Sequence, residues 1–85
     1  MKVQRLKVTD ELTRDGETAL LVDGLLVRLS ELSALVYELT EEPVEVRRLA
    51  HALESHFGAP EGRTSFDATQ DAVAELVRHG ILLES

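Results

Sequence analysis

Histidine, serine and carboxylate side chains are the groups that could do chemistry here, and their spacing predicts no catalytic or metal site. His51 and His56 are five residues apart on a predicted helix, so they point in different directions rather than forming an i, i+4 metal pair. Glu41 and Glu42 directly precede Pro43 at a predicted helix end, where solvated carboxylates are expected. No nucleophile elbow surrounds a serine, and the glycines are too dispersed for a phosphate-binding loop. We therefore expect a protein that is not an enzyme, with no catalytic residue, metal or cofactor.

The composition narrows the remaining function classes. The chain has 85 residues and no cysteine, which excludes disulfides and thiolate chemistry and fits one small domain spanning 1–85. Nine Lys and Arg face sixteen Asp and Glu, and the net charge of −7 counts against a nucleic-acid partner. No signal-peptide run and no membrane-length apolar segment occurs. The sequence predicts a cytoplasmic domain that contacts neither nucleic acid nor membrane.

The pattern of the first thirty residues predicts β-strands. Leu6 and Val8 alternate with polar residues, as in a half-buried strand. Asp15-Gly16 and Asp23-Gly24 are two-residue hairpin signals, since glycine readily adopts the positive φ that such turns require. The apolar runs that follow them extend over 18–22 and 25–29. We expect a three-stranded antiparallel meander.

A two-residue loop at Asp23-Gly24 fixes which residues share a face of this sheet. The pairs expected on the core face are Val22 with Leu25, Leu20 with Val27, and Thr18 with Leu29. Leu12, Leu21 and Leu26 then share the opposite face with Ala19 and Arg28. Two interpretations stay open for this leucine group: a bulge that shifts the register, or an outward apolar patch for a partner or a second copy.

The rest of the chain follows helical periodicity. Ser30 is a plausible N-cap for a helix over 31–39, and Pro43 ends that helix. A second helix is expected from about 44 to 57, with Val46, Leu49, Ala50, Leu53 and Phe57 inward. After a loop over 59–66, Asp67 and Gln70 have the spacing of a capping box for a third helix, which Gly80 ends. The apolar tail 81–83 must pack back on the body.

Three strands followed by three helices define an α+β domain, with the composition of a winged helix-turn-helix. The alternative function for that fold is a winged-helix DNA-binding regulator. In such proteins, basic and amide side chains on the last helix read the bases. The third helix here instead carries Asp67, Asp71 and Glu75 against Arg78 alone, and this balance favours a different ligand.

The third predicted strand, 25–29, would be an edge of the meander. It is apolar, carries only Arg28 as a charge and lacks proline, so little protects its unpaired backbone groups. An extended peptide could add there as a further strand. On this interpretation Val27→Pro should remove a ladder donor and abolish peptide binding. The competing explanations are that the apolar tail or a second copy of the chain covers this edge.

Residues 17–84 resemble the PqqD-like proteins, the stand-alone form of the RiPP recognition element. The resemblance rests on the order of core patterns: VRLS at 27–30, LSALVYEL at 32–39, EEPV at 41–44, LAHAL at 49–53, and DAVAELV at 71–77 followed by GIL at 80–82.

The resemblance implies a peptide chaperone that binds the leader segment of a ribosomally made precursor. It also implies that the protein presents this precursor to a maturation enzyme such as a radical-SAM protein, a protease or a cyclase. The implied cleft lies between the third strand and the third helix. Its implied residues are Leu25, Leu26, Val27, Arg28, Leu29, Asp71, Ala72, Glu75, Leu76 and His79. A homodimer stays an open option.

Overall fold

The protein is an α+β domain with a three-stranded antiparallel meander and three helices, as expected from the sequence. The computed structural model describes residues 1–7 and 10–85, so the predicted strand position Val8 lies outside the described residues. The strands are β1 (Lys2–Arg5), β2 (Asp10–Arg14), β3 (Glu17–Val22), β4 (Leu25–Leu29), β5 (Val44–Glu45) and β6 (Leu82–Glu84). The helices are α1 (Glu31–Leu39), α2 (Val46–Phe57) and α3 (Ser65–Arg78).

The meander has the order β2-β3-β4, and its two turns have the backbone that the sequence predicted. Asp23 and Gly24 have φ angles of 48° and 82°, as a two-residue turn with two left-handed residues requires. Val22 pairs with Leu25, Leu20 with Val27, and Thr18 with Leu29. Leu12 pairs with Ala19, and both ladders run without interruption. The register prediction is confirmed, and the bulge alternative is wrong.

A second antiparallel sheet, with the order β5-β1-β6, was not expected from the sequence. The first strand was predicted around Leu6 and Val8, but β1 ends at Arg5, and Leu6 is exposed. The predicted apolar tail does pack back on the body, because β6 pairs with β1 and Ile81 and Leu82 are buried. This sheet joins the two ends of the chain beside the helices.

Side-chain caps explain where α1 and α3 begin. The Ser30 hydroxyl accepts a hydrogen bond from the Ser33 amide, which confirms the predicted N-cap of α1. The third helix begins earlier than expected, because Thr64 and not Asp67 is its N-cap. The Thr64 hydroxyl accepts from the Asp67 amide. Asp67 therefore lies within the first turn, where its negative charge interacts favourably with the helix dipole.

The core lies between the sheets and the helices and contains most of the predicted apolar residues. Its members are Val3, Leu20, Leu29, Val36, Tyr37, Val46, Leu49, Leu53, Val73, Leu76, Ile81 and Leu82. Two predictions of inward side chains were wrong. Phe57 is exposed because it is the last residue of α2. Leu25 is exposed because it directly follows the hairpin turn, beyond the helices that cover the sheet.

Candidate functional site: an edge strand beside a helix

The free edge of the meander is β4. Among residues 1–7 and 10–85, β4 pairs with β3 alone. In an antiparallel pair the hydrogen-bonded residues alternate, and a two-residue turn makes its flanking residues, Val22 and Leu25, a hydrogen-bonded pair. The backbone N–H and C=O groups of Leu25, Val27 and Leu29 therefore point to β3. Those of Leu26 and Arg28 point away from the sheet, toward the free edge.

This alternation corrects the mutation suggested by the sequence. Val27 pairs with Leu20 inside the hairpin, so its N–H is already bonded to β3. Proline at position 27 would break the hairpin instead of testing the edge. The donors available to an added strand belong to Leu26 and Arg28.

The side chains of β4 differ strongly in exposure. Leu25 is 70% exposed, Val27 is half-buried, and Leu29 is buried in the core. These three share the inner face of the sheet, whereas Leu26 and Arg28 lie exposed on the outer face. An added strand could therefore contact the apolar side chains of Leu25 and Val27. The Leu29 side chain is buried in the core and offers no such contact.

The helix residues assigned to the site are a mixture of core and surface. Leu76 is only 2% exposed and belongs to the core, so it offers a ligand almost no surface in this structure. Ala72 is half-buried at the margin of the apolar stripe, and Asp71, Glu75 and His79 are exposed. Apolar contact on this helix is thus limited to its partly buried flank.

Two of the exposed acids already have a basic side chain nearby. Arg63, in the loop before α3, forms an ion pair with the Asp71 carboxylate. His79 Nε2 lies 4.0 Å from the Glu75 Oε1 atom, one helical turn away. Both contacts are solvent-exposed, so each contributes little to stability. Asp71 is the more fully compensated of the two acids, which makes Glu75 the better candidate to attract a cation from a ligand.

The C-terminal end of α3 reaches the β3–β4 hairpin. A Cβ atom added at Gly80 would lie 3.9 Å from Val22 Cγ1, and Val22 is the cross-strand partner of Leu25. His79 is therefore close to the start of β4. Asp71 is eight residues earlier, about 12 Å along the helix axis, so it lies well away from this junction. The end of α3 therefore approaches the turn end of the hairpin at Val22, whereas Asp71, in the middle of α3, is farther from it.

Sequence reasoning missed a small apolar pocket at the start of α3, at the opposite end of that helix from His79. It has a volume of about 170 Å³, and α1, α2 and α3 all contribute side chains, including Leu32, Phe57 and Ala68. Ala68 is one turn before Ala72, so the same flank of α3 continues from the pocket toward His79. Phe57 at the end of α2 could have signalled the pocket, since a large aromatic residue just before a glycine often remains partly exposed.

The histidine and carboxylate side chains are dispersed over the described residues. All three histidines are exposed. Within residues 1–7 and 10–85, no three His, Asp or Glu side chains come close enough to hold a metal ion. In the same residues, no helix is both long and apolar enough to cross a membrane. Comparison of the chain with protein-family models, with curated proteins and with solved structures found no significant match.

Proposed function

We propose that this protein is a non-catalytic peptide-recognition module of the PqqD-like type. It binds the leader segment of a ribosomally synthesised precursor as a strand added to β4. One observation carries the proposal: β4 is an edge strand whose outward backbone groups belong to Leu26 and Arg28. In this proposal the domain is winged-helix-like. It presents the precursor to a maturation enzyme in the cytoplasm, where the ribosome releases that precursor.

The energetics require more than backbone pairing. Leu26 and Arg28 offer two donors and two acceptors, and each bond contributes about 1 kcal/mol net. Ordering a flexible peptide costs about 2–5 kcal/mol, so these bonds only offset the ordering. Apolar contacts must supply the net affinity, and Leu25, Val27 and Ala72 provide such surface. A leader with apolar residues at alternate positions would fit, because alternate side chains of an added strand reach the same face.

The balance of charge on α3 favours a peptide over DNA. Asp67, Asp71 and Glu75 are exposed on this helix, and Arg78 is its only basic residue. This surface would repel phosphates at close range. On α2, the Cζ atom of Arg47 lies 4.8 Å from the centroid of the Phe66 ring, so the guanidinium is held against the protein. Fluorescence anisotropy with duplex DNA at low salt should therefore show no binding, and a clear rise would favour the winged-helix regulator instead.

Arg28→Pro is the direct test of strand addition. Proline is tolerated at an edge position whose N–H faces solvent, so the domain should stay folded while one outward donor is lost. Leaving a peptide carbonyl unpaired costs about 1–3 kcal/mol, which predicts a loss of affinity of about 5- to 150-fold. The probe is a labelled peptide from the N-terminal half of a short precursor, sought among the reading frames that neighbour this gene, and binding is followed by anisotropy.

Arg28→Ala is the matched control, because it removes the same side chain but keeps the N–H. It should bind nearly as well as the unaltered protein, and circular dichroism should show all three proteins folded. Equal affinities for the alanine and proline variants would refute strand addition at β4. The absence of any short precursor gene beside this one would count against a leader peptide as the ligand.

A further inference from the structure

We propose that the free edge of β2 pairs with the β2 edge of a second copy, so that two meanders join edge to edge in one six-stranded antiparallel sheet. Among residues 1–7 and 10–85, β2 pairs with β3 alone, and all five of its residues are exposed. No helix of the described chain therefore covers either face of this strand. The β2 edge is on the opposite side of the meander from β4, so the inference goes beyond the proposed function.

The Asp15-Gly16 turn determines which backbone groups of β2 are available. The two turn residues have φ angles of 53° and 79°, and the residues that flank them, Arg14 and Glu17, pair with each other. The flanking residues of such a turn form a hydrogen-bonded pair, and hydrogen-bonded positions alternate along the strand. The N–H and C=O groups of Glu11 and Thr13 therefore point away from β3, toward the free edge.

The charges on β2 disfavour most ways of pairing two copies. Outward backbone groups must oppose outward groups, so a two-fold axis has to cross one residue of the strand. An axis at Asp10, Glu11 or Arg14 sets that charged residue against its own copy. An axis at Thr13 sets Glu11 against Asp15 of the other copy. Each of these four registers opposes like charges directly, which is destabilising.

An axis at Leu12 gives complementary pairs along the whole strand. Asp10 of each copy opposes Arg14 of the other, the two Leu12 side chains meet, and Glu11 opposes Thr13. The first two of these are non-hydrogen-bonded pairs, in which opposed side chains come closest. Charges on an edge strand usually discourage pairing with a copy, but their order here makes them attract across the axis. This self-complementarity identifies the occupant as a second copy of the chain.

The length of the contact predicts a weak dimer. Four backbone hydrogen bonds join the strands, two in each Glu11–Thr13 pair, and the contact is about 17 Å long. It buries less than the roughly 800 Å² that each partner buries in a stable complex. We therefore expect reversible association, detectable by sedimentation equilibrium between about 10 µM and about 1 mM protein and without any peptide.

Single cysteines test the register. The chain has no cysteine, so any disulfide in a variant must join two copies. In Leu12→Cys the two thiols would lie in a non-hydrogen-bonded pair, with Cα atoms about 4.5 Å apart, which suits a disulfide. Under mild oxidation this variant should become a linked dimer on non-reducing electrophoresis. Glu11→Cys and Thr13→Cys are the matched controls, because each would lie about 8 Å from its own copy, beyond the usual range. Faster linking in either control than in Leu12→Cys would overturn the proposal.

Thr13→Pro tests the backbone pairing. The Thr13 N–H faces the free edge, where proline is tolerated, so the domain should stay folded by circular dichroism. The two-fold axis repeats the change, so two of the four hydrogen bonds are lost. The dissociation constant should rise by about 30-fold or more. Thr13→Ala keeps the N–H and should dimerise like the unaltered protein, and equal dissociation constants for the two variants would contradict the pairing.

The β4 edge supplies the last control. Arg28→Pro blocks that edge, so this variant should dimerise like the unaltered protein if the contact is at β2. Loss of the dimer in Arg28→Pro would assign the contact to β4 and overturn the proposal. An unaltered protein that stays monomeric at 1 mM would overturn it equally, whether or not a leader peptide binds to β4.

Discussion

At the scale of single residues, the fold changes the titration of Tyr37. Burial raises the pKa of the Tyr37 phenol above its ordinary value. The Arg5 cation opposes this shift, and the negative charge of the Glu11 carboxylate adds to the rise in pKa. The folded state thus holds the phenolic proton more firmly than the unfolded chain does.

The sign of this shift predicts a loss of stability at alkaline pH. A group with a raised pKa stabilises the fold fully below its unfolded value, about 10 for tyrosine, and this contribution is lost as the pH rises through the folded value. The free energy of unfolding should therefore fall more steeply above pH 10 in the unaltered protein than in Tyr37→Phe. Urea unfolding from pH 8 to 11 measures both slopes, and parallel curves would contradict the prediction.

Glu75 is the residue whose charge should matter most for ligand choice. Its only described ionic neighbour is His79, whereas Asp71 is already paired with Arg63. If the leader carries a basic residue near the end of α3, Glu75→Lys should weaken binding by several-fold, and more so at low salt. Glu61→Lys changes the net charge equally but lies in the loop before α3. Anisotropy titrations at two salt concentrations should separate the two variants, and equal losses would remove Glu75 from the site.

At the scale of elements, the sequence predicts what short-range chemistry determines. The hairpin at Asp23-Gly24 follows from two residues that adopt positive φ, and its register then fixes every face of the meander. The start of α1 follows from the Ser30 hydroxyl. The start of α3 does not, because Thr64-Asp67 and Asp67-Gln70 offer capping partners at the same spacing. Only packing of the preceding loop decides between them.

The second sheet shows what local patterns cannot predict. β5 has two residues and β6 has three, too few for alternation to distinguish a strand from a loop. Their partner β1 is about forty and eighty residues away along the chain, so only tertiary packing brings them together. In the candidate site, too, local sequence determines one part and tertiary packing determines the other. The β4 edge follows from the hairpin, but the burial of Leu76 depends on how α3 packs against the core.

At the scale of the whole molecule, the β5-β1-β6 sheet closes the core with the last residues of the chain. Ile81 and Leu82 are fully buried, and β6 holds them against β1 through its pairing with Val3 and its neighbours. Beyond the strand, the backbones of Lys2 and Ser85 exchange two hydrogen bonds, with N···O distances of 3.1 and 2.9 Å. The chain ends therefore contribute directly to the stability of the helical core.

Removing residues 81–85 should unfold the domain. Losing a buried leucine or isoleucine costs about 2–5 kcal/mol, so the two together cost about 4–10 kcal/mol. A domain of this size is stable by only about 4–13 kcal/mol, and Val3 would also become exposed. Circular dichroism should show that the chain ending at residue 80 has lost its cooperative thermal transition.

Deleting only 83–85 keeps both buried side chains and should merely lower the melting temperature, because Leu83, Glu84 and Ser85 are exposed. A cooperative, near-native transition in the shorter chain would mean that the meander and helices form a sufficient core without the second sheet.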